Sequence, residues 1–192
     1  MIFIFFGPPG AGKGTQAQML SKKLKLAHLS TGEILRKKLF DTDSLSTELQ
    51  KIIDSGNLVS DDILNKIVAD RLSYFDCKSG FILDGYPRTL AQKDFLNKYL
   101  VANKLSITNI FDLKIDKQII IERIKSRLIK ENRHDDKEEI IKTRISKYLQ
   151  ETKPLSDFYT TKYPNNYHFV NGNQEIEMIQ EDILKIIKKW GF

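Results

Sequence analysis

Cysteine is nearly absent from this chain, and its scarcity excludes two kinds of architecture. Only Cys77 among the 192 residues is a cysteine, so no disulfide forms within the chain and no four-cysteine zinc site can be built. Long apolar runs are missing as well, because no stretch approaches the roughly 20 residues that a membrane-spanning helix needs. A reducing cytoplasm is therefore the expected compartment.

The composition is that of a folded protein, with 41% hydrophobic and 29% charged residues. The length suits one α/β domain with a full core. A net charge of +6 fits a nucleic-acid partner or polyanionic small molecules, while a solvated surface accounts for most of the lysines. The basic stretches lack the interleaved aromatic residues of single-strand nucleic-acid binders, which disfavours that class.

A glycine-rich segment follows directly after an apolar run. Residues 2–6 read I-F-I-F-F and residues 7–15 read G-P-P-G-A-G-K-G-T. The run is typical of a buried parallel strand, and the glycines let successive backbone N–H groups surround an anion at a helix N-terminus. Lys13 can reach terminal phosphates, and Thr15 can offer a hydroxyl to Mg²⁺. The alternative is a βα turn that binds nothing.

Strands and helices alternate along the rest of the chain. This order predicts a doubly wound parallel sheet flanked by helices, with five strands at residues 2–6, 26–29, 80–84, 109–115 and 166–170. Ligands of such sheets bind beyond the carboxyl ends of the strands, where Gly7, Asp84 and Asp116 lie.

Residues 30–59 interrupt this alternation and read as an inserted pair of helices. The insert opens with S-T-G-E at residues 30–33, which has capping-box spacing. Another helix is predicted at residues 60–73 with Ser60 as its N-cap, and a further one near residues 137–152.

Two charged residues lie at or just beyond the third strand. Asp84 ends it, and a carboxylate beside a phosphate loop suits Mg²⁺, directly or through water. Arg88 follows in G-Y-P-R, and its guanidinium suits bidentate contact with phosphate. The alternatives are a turn-forming Asp and a surface Arg.

Four more arginines follow in the second half of the chain, at Arg123, Arg127, Arg133 and Arg144. The first two share a helix face, and Arg144 falls inside an apolar helical stripe without an evident fixed carboxylate partner. An inward arginine needs a partner. Convergence on a triphosphate explains all four together, and ion pairs with Asp or Glu are the alternative. His134, next to Asp135 and Asp136, is interpreted as part of a solvated loop rather than as a metal ligand.

The segments at residues 7–15, 29–33, 84–89 and 133–136 together resemble the adenylate kinase family, in family order and over essentially the whole chain. D-G-Y-P-R is specific to nucleoside monophosphate kinases. The resemblance implies their P-loop fold, with a five-stranded parallel sheet in one domain over residues 1–192, an AMP-binding insert at 30–59 and a lid at 122–134. Since only five residues separate Arg127 from Arg133, the lid is of the short, zinc-free form.

The resemblance also implies roles for individual residues. Transfer of the phosphoryl group is expected to depend on Lys13, Arg88, Arg123, Arg127, Arg133 and Arg144. ATP contacts are expected from Gly10, Ala11, Gly12, Lys13, Gly14, Thr15, Arg123, Arg127, Gly172 and Gln174. AMP contacts are expected from Thr31, Arg36, Asn57, Leu58, Val59, Gly85, Arg88, Gln92, Arg133 and Arg144. Thr15 and Asp84 are expected to serve Mg²⁺.

The expected activity is reversible transfer from MgATP to AMP by a cytoplasmic monomer with no zinc and no nucleic-acid or membrane partner. A UMP/CMP kinase on the same fold is the nearest alternative, although similar pyrimidine enzymes tend to have Ala where this chain has Thr31. A GTP-dependent switch protein is disfavoured because no Asn-Lys-x-Asp guanine motif is present.

Overall fold

The computed structural model describes residues 1–39, 44–131 and 136–189. Its centre is a five-stranded parallel sheet in the order β2-β3-β1-β4-β5. The strands span Ile2–Phe6 (β1), Ala27–Ser30 (β2), Phe81–Asp84 (β3), Asn109–Lys114 (β4) and Tyr167–Asn171 (β5). The predicted doubly wound α/β fold is therefore confirmed, and each strand lies within one residue of its expected ends.

Helices cover both faces of this sheet. They span Lys13–Leu24 (α1), Thr31–Lys38 (α2), Ser44–Asp54 (α3), Asp61–Leu72 (α4), Leu90–Ala102 (α5), Lys117–Glu131 (α6), Glu138–Lys147 (α7), Lys153–Lys162 (α8) and Ile176–Lys188 (α9). A short 3₁₀ turn lies at Phe75–Cys77, and a π-helical turn at Tyr148–Thr152 joins α7 to α8. Among the described residues, no helix has the length and apolarity that crossing a bilayer demands.

The apolar run of β1 is buried on both faces because successive side chains of a strand point to opposite sides. Ile2, Ile4 and Phe6 join one core cluster. Phe3 and Phe5 join the other, which includes residues of α1 and α9. A central strand covered on both sides reads as a continuous apolar segment, and this central strand delivers the glycine-rich loop to the middle of the sheet edge.

Strand β2 begins one residue later than predicted. Lys25 adopts a left-handed conformation with φ of 54° at the end of α1, and the backbone N–H of Leu26 bonds to the carbonyl of Ser21. Leu26 therefore completes the helix C-cap and is not available for the sheet ladder.

The expected capping box at the start of α2 is not formed. Ser30 occupies the N-cap position but makes no side-chain capping bond, because its hydroxyl interacts with the carboxylate of Asp84 on the neighbouring strand. Ser60 likewise stands at the N-cap of α4 without a side-chain capping bond. The sequence predicted correctly where both helices start. The side-chain capping hydrogen bonds that it also predicted are not formed.

Candidate active site

The glycine-rich loop between β1 and α1 presents an open helix N-terminus. Gly12 is the N-cap residue, with φ of 91° in the left-handed region, where glycine has no steric penalty. No side chain caps the helix, and its first turn holds no acidic residue. The first N–H groups of α1 have no partner in their own helix, so they are available to an anion.

Lys13 lies under this loop with its ammonium group directed at the backbone. Its Nζ donates to the carbonyls of Gly7 and Pro8, both at 2.8 Å. Burial lowers the pKa of Lys13 to about 7, since the protein environment solvates the charged form poorly. Asp84 opposes this shift, while the positive charges of Arg88, Arg144 and Arg127 add to it. Four cationic side chains are thus close enough to influence one another electrostatically.

Asp84 ends β3 beside Lys13 and is 8% exposed. Burial alone disfavours its charged form, but interactions with His28, Lys13 and Ser30 outweigh burial and lower the pKa of the carboxyl. Nε2 of His28 lies 3.6 Å from Oδ2 of Asp84. Asp84 is therefore a carboxylate at neutral pH.

Gly14 stands directly after Lys13, where the usual phosphate-loop pattern has Ser or Thr. The structure supplies a reason for this departure. A Cβ atom at this position would lie 3.2 Å from Oδ2 of Asp84, tighter than ordinary van der Waals contact. The glycine therefore keeps the approach to the carboxylate open. An ionised carboxylate and the exposed hydroxyl of Thr15 are hard oxygen donors, the kind that Mg²⁺ prefers, so these residues fit the expected ion.

The segment after β3 holds Arg88 in place through its backbone. The Tyr86–Pro87 peptide is cis, and the buried hydroxyl of Tyr86 donates to Oδ1 of Asn65 at 2.6 Å. Nε of Arg88 donates to the carbonyl of Gly85 at 2.8 Å. A Cβ at Gly85 would lie 2.7 Å from Nη2 of Arg88, so a side chain there would displace the guanidinium.

Arg123 of α6 contacts the phosphate loop directly. Nη2 of Arg123 donates to the carbonyl of Gln174 at 3.0 Å, and its Nη1 reaches the carbonyl of Ala11 at 3.5 Å. The arginine thus connects the turn after β5 to the phosphate loop. In the same turn, the N–H of Gly172 donates to the carbonyl of Lys114.

Arg127 and Arg144 share one carboxylate, which corrects the expectation that Arg144 has no fixed acidic partner. Nε and Nη2 of Arg127 each donate to a different oxygen of Asp136 at 2.6 Å. Nη1 of Arg144 donates to Oδ1 of the same residue at 3.1 Å. Asp136 is 3% exposed, so its charge needs these partners. Both arginines therefore form the ion pairs of the alternative interpretation, while their contacts with phosphate stay a prediction. Arg133, His134 and Asp135 lie outside the described residues.

The predicted lid does not begin at a helix boundary. Residues 122–131 continue helix α6 without a break, and the remainder of the range 122–134 lies outside the described residues. No group of three or more His, Cys, Asp or Glu side chains suited to a metal occurs in the described ranges. The absence of zinc stays a prediction.

Two cavities open side by side at the carboxyl edge of the sheet. One is lined by the phosphate loop, including Gly7, Pro9 and Lys13. The other is lined by the insert, including Thr31, Arg36, Asn57 and Val59. Both cavities share the same wall, formed by Gly56, Leu58, Arg88 and Arg144. Two ligands bound in these cavities would meet at a pair of arginines.

The two residues expected to select the acceptor base are both engaged within the protein. Oγ1 of Thr31 donates to the carbonyl of Gly85 at 2.9 Å. Gln92 is completely buried, its Oε1 accepts from the N–H of Arg88 at 2.7 Å, and its Nε2 donates to Asp61 at 2.7 Å. Gln92 lines neither cavity, so its contact with a base stays a prediction.

Three residues of the site were not singled out as functional from the sequence. His28 borders the carboxylate of Asp84. Tyr148 and Thr152 line the first cavity from the π-helical turn. Pro154, two residues after Thr152, is the sequence signal that marks this irregular turn.

A phosphate loop on the central strand, an insert after β2 and an arginine wall between two cavities define a P-loop nucleoside monophosphate kinase. The family model described as adenylate kinase matches residues 5–163. The chain is similar to the adenylate kinase of Leptospira biflexa serovar Patoc, 41% identical over 96% of this chain and 98% of that protein. It is also 36% identical to that of Thermoanaerobacter sp. strain X514 over all of both chains, and 37% identical to that of Brucella abortus strain S19 over 97% and 98%. The chain belongs to the adenylate kinase family.

Proposed function

We propose that the protein catalyses MgATP + AMP ⇌ MgADP + ADP at the shared wall of the two cavities, and so balances the adenine nucleotide pool. ATP occupies the cavity of the phosphate loop, and AMP occupies the cavity of the insert. The observation that carries this assignment is the common wall containing Arg88 and Arg144, because two phosphate groups must approach each other for direct transfer.

The reaction needs alignment and positive charge rather than a general base. The second pKa of a phosphate monoester lies near 6, so the attacking group of AMP is already largely a dianion at pH 7. Lys13 and the arginines would surround the transferring group, holding donor and acceptor in line and stabilising its oxygens. Phosphate charge would also raise the pKa of Lys13, so that the lysine is protonated when transfer occurs.

Asp84 and Thr15 would hold Mg²⁺, which neutralises phosphate charge when bound. Asp84 suits this role because it is ionised and because Gly14 leaves its carboxylate accessible. Lys13 stays within the electrostatic influence of the same carboxylate. We therefore assign Asp84 two functions, the support of the metal and the partial balancing of the cationic cluster.

A coupled assay with ATP and each of AMP, CMP, UMP and GMP tests this function. AMP is expected to be the preferred acceptor, and equal rates with AMP and UMP would favour the pyrimidine kinase instead. Lys13→Met tests the role of the lysine in the same assay, because this variant removes the positive charge at the transferring group while leaving the loop glycines in place. Turnover by this variant above a tenth of the wild-type value would contradict the role of Lys13.

We also propose that the protein acts as a monomer in the cytoplasm. A lone cysteine that is buried supports a reducing compartment. Equilibrium sedimentation with and without nucleotides tests the monomeric state.

A further inference from the structure

The connection between α7 and α8 is a π-helical turn, and a proline explains it. The N–H of Lys153 bonds to the carbonyl of Tyr148, five residues earlier. Pro154, in the first turn of α8, has no N–H to donate, and its ring would clash with the carbonyl four residues before it in a continuous α-helix. The wider turn relieves this clash. Such turns occur frequently at functional sites.

The turn directs the side chain of Thr152 at the phosphate-binding segment. Thr152 is 9% exposed, and its Oγ1 donates to the backbone carbonyl of Arg88 at 3.0 Å. The N–H of Arg88 is held at the same time by Oε1 of Gln92 at 2.7 Å. Side chains therefore fix both backbone polar groups of Arg88, one from the first turn of α5 and the other from a segment 64 residues away.

The same helical segment carries the second arginine of the wall. Arg144 lies in α7, and Tyr148 and Thr152 follow on the π-helical turn, all three lining the first cavity. A hydrogen bond from Thr152 to Arg88 thus connects the two sides of the wall, one on the loop after β3 and the other on α7. Loss of this bond would remove one of the contacts that fix the backbone of Arg88 and would allow small rotations of that residue.

We propose that Thr152 is a positioning residue for Arg88 and thereby sets the affinity for the acceptor's phosphate. This inference rests on the proposed role of Arg88 in binding AMP. A long side chain amplifies small backbone movements, since a rotation of about 10° at Cα shifts a guanidinium ~6 Å away by about 1 Å. A displacement of that size weakens a bidentate arginine–phosphate contact, because the two parallel hydrogen bonds depend on the position of the guanidinium.

Three variants separate a positioning role from simple packing. Thr152→Val keeps the shape and removes the hydroxyl, Thr152→Ser keeps the hydroxyl, and Thr160→Val is the control. Oγ1 of Thr160 donates to the carbonyl of Ser156 at 2.7 Å, so this exposed residue of α8 loses an equivalent hydroxyl outside the site. KM for AMP, KM for ATP, kcat and Tm are measured for each variant.

Thr152→Val is expected to raise KM for AMP about tenfold and to raise KM for ATP by less, although Thr152 and Arg88 also line the first cavity. Thr152→Ser is expected to restore KM for AMP, and Thr160→Val to match the wild type. An unchanged KM for AMP in Thr152→Val would overturn the proposal. Equal increases in both KM values with no rescue by Thr152→Ser would also overturn it. If Thr152→Val does not fold, the smaller Thr152→Ala replaces it with the same criteria.

Arg88→Lys distinguishes failure of this inference from failure of the proposed role of Arg88. An increase in KM for AMP in Arg88→Lys, with no increase in Thr152→Val, would reject only the positioning role of Thr152. An unchanged KM for AMP in both variants would reject the assignment of Arg88 as well.

Discussion

Above pH 7, nucleotide binding is expected to be coupled to the protonation of Lys13. In the free protein, burial together with Arg88, Arg144 and Arg127 lowers the pKa of Lys13 to about 7. Bound phosphates place negative charge beside Lys13, which stabilises its protonated form and raises its pKa. ATP affinity should therefore depend on pH in a range where free ATP no longer titrates, since its last phosphate pKa is near ~6.

The size of this effect follows from the shifted pKa. At pH 8, a group with a pKa of about 7 is protonated in roughly one molecule in eleven, so binding would take up about 0.9 proton. The linkage between binding and protonation sets the direction in which affinity changes with pH. Because the complex holds more protons than the free protein, affinity falls as pH rises, by up to about tenfold for each pH unit above 7.

Isothermal titration calorimetry measures the uptake directly. MgATP is titrated at pH 8 without AMP, in two buffers of different ionisation enthalpy, and the difference in observed heat yields the number of protons. Lys13→Arg is the control, because a guanidinium stays charged throughout this range and should take up no proton. Uptake below about 0.2 proton by the wild type would refute a depressed pKa for Lys13. The same uptake by Lys13→Arg would assign the proton to another group.

Asp136→Asn is expected to lower the free energy of unfolding by about 3–5 kcal/mol, because it discharges a buried carboxylate that two arginines share; an unchanged urea midpoint would contradict this. Because Arg144 is paired with Asp136, Arg144→Ala should reduce stability as well as turnover, and thermal melting together with the coupled assay measures both. Gly14→Ala should raise the Mg²⁺ concentration for half-maximal turnover about tenfold, since its Cβ crowds Asp84; an unaltered magnesium titration would refute this. A zinc-selective chelator should leave Tm unchanged, and a marked fall would reveal a metal site. Thr31→Ala should raise CMP or UMP use relative to AMP with KM for ATP little changed, and wild-type ratios would exclude Thr31 from base selection.

The sequence by itself determined the features that depend on local pattern. The apolar run of β1 and the glycine spacing after it define a strand, a loop and a helix start within 15 residues, and each is specified by backbone preferences of neighbouring residues. The alternation of strands and helices predicted the parallel sheet. It also predicted that the loop, Asp84 and Arg88 lie at one edge, because the carboxyl ends of parallel strands point the same way.

Only the tertiary structure decided which polar groups meet. Ser30 had the spacing of a capping residue, but the pairing of β2 with β3 brings its hydroxyl to Asp84 instead. Asp136 receives both Arg127 and Arg144 because the packing of α6 against α7 brings the two helices' arginines to one carboxylate. Thr152 reaches a carbonyl 64 positions away. Periodicity specifies which face of an element is buried, whereas the partner of a long or buried polar side chain depends on distances that exist only after the elements have packed.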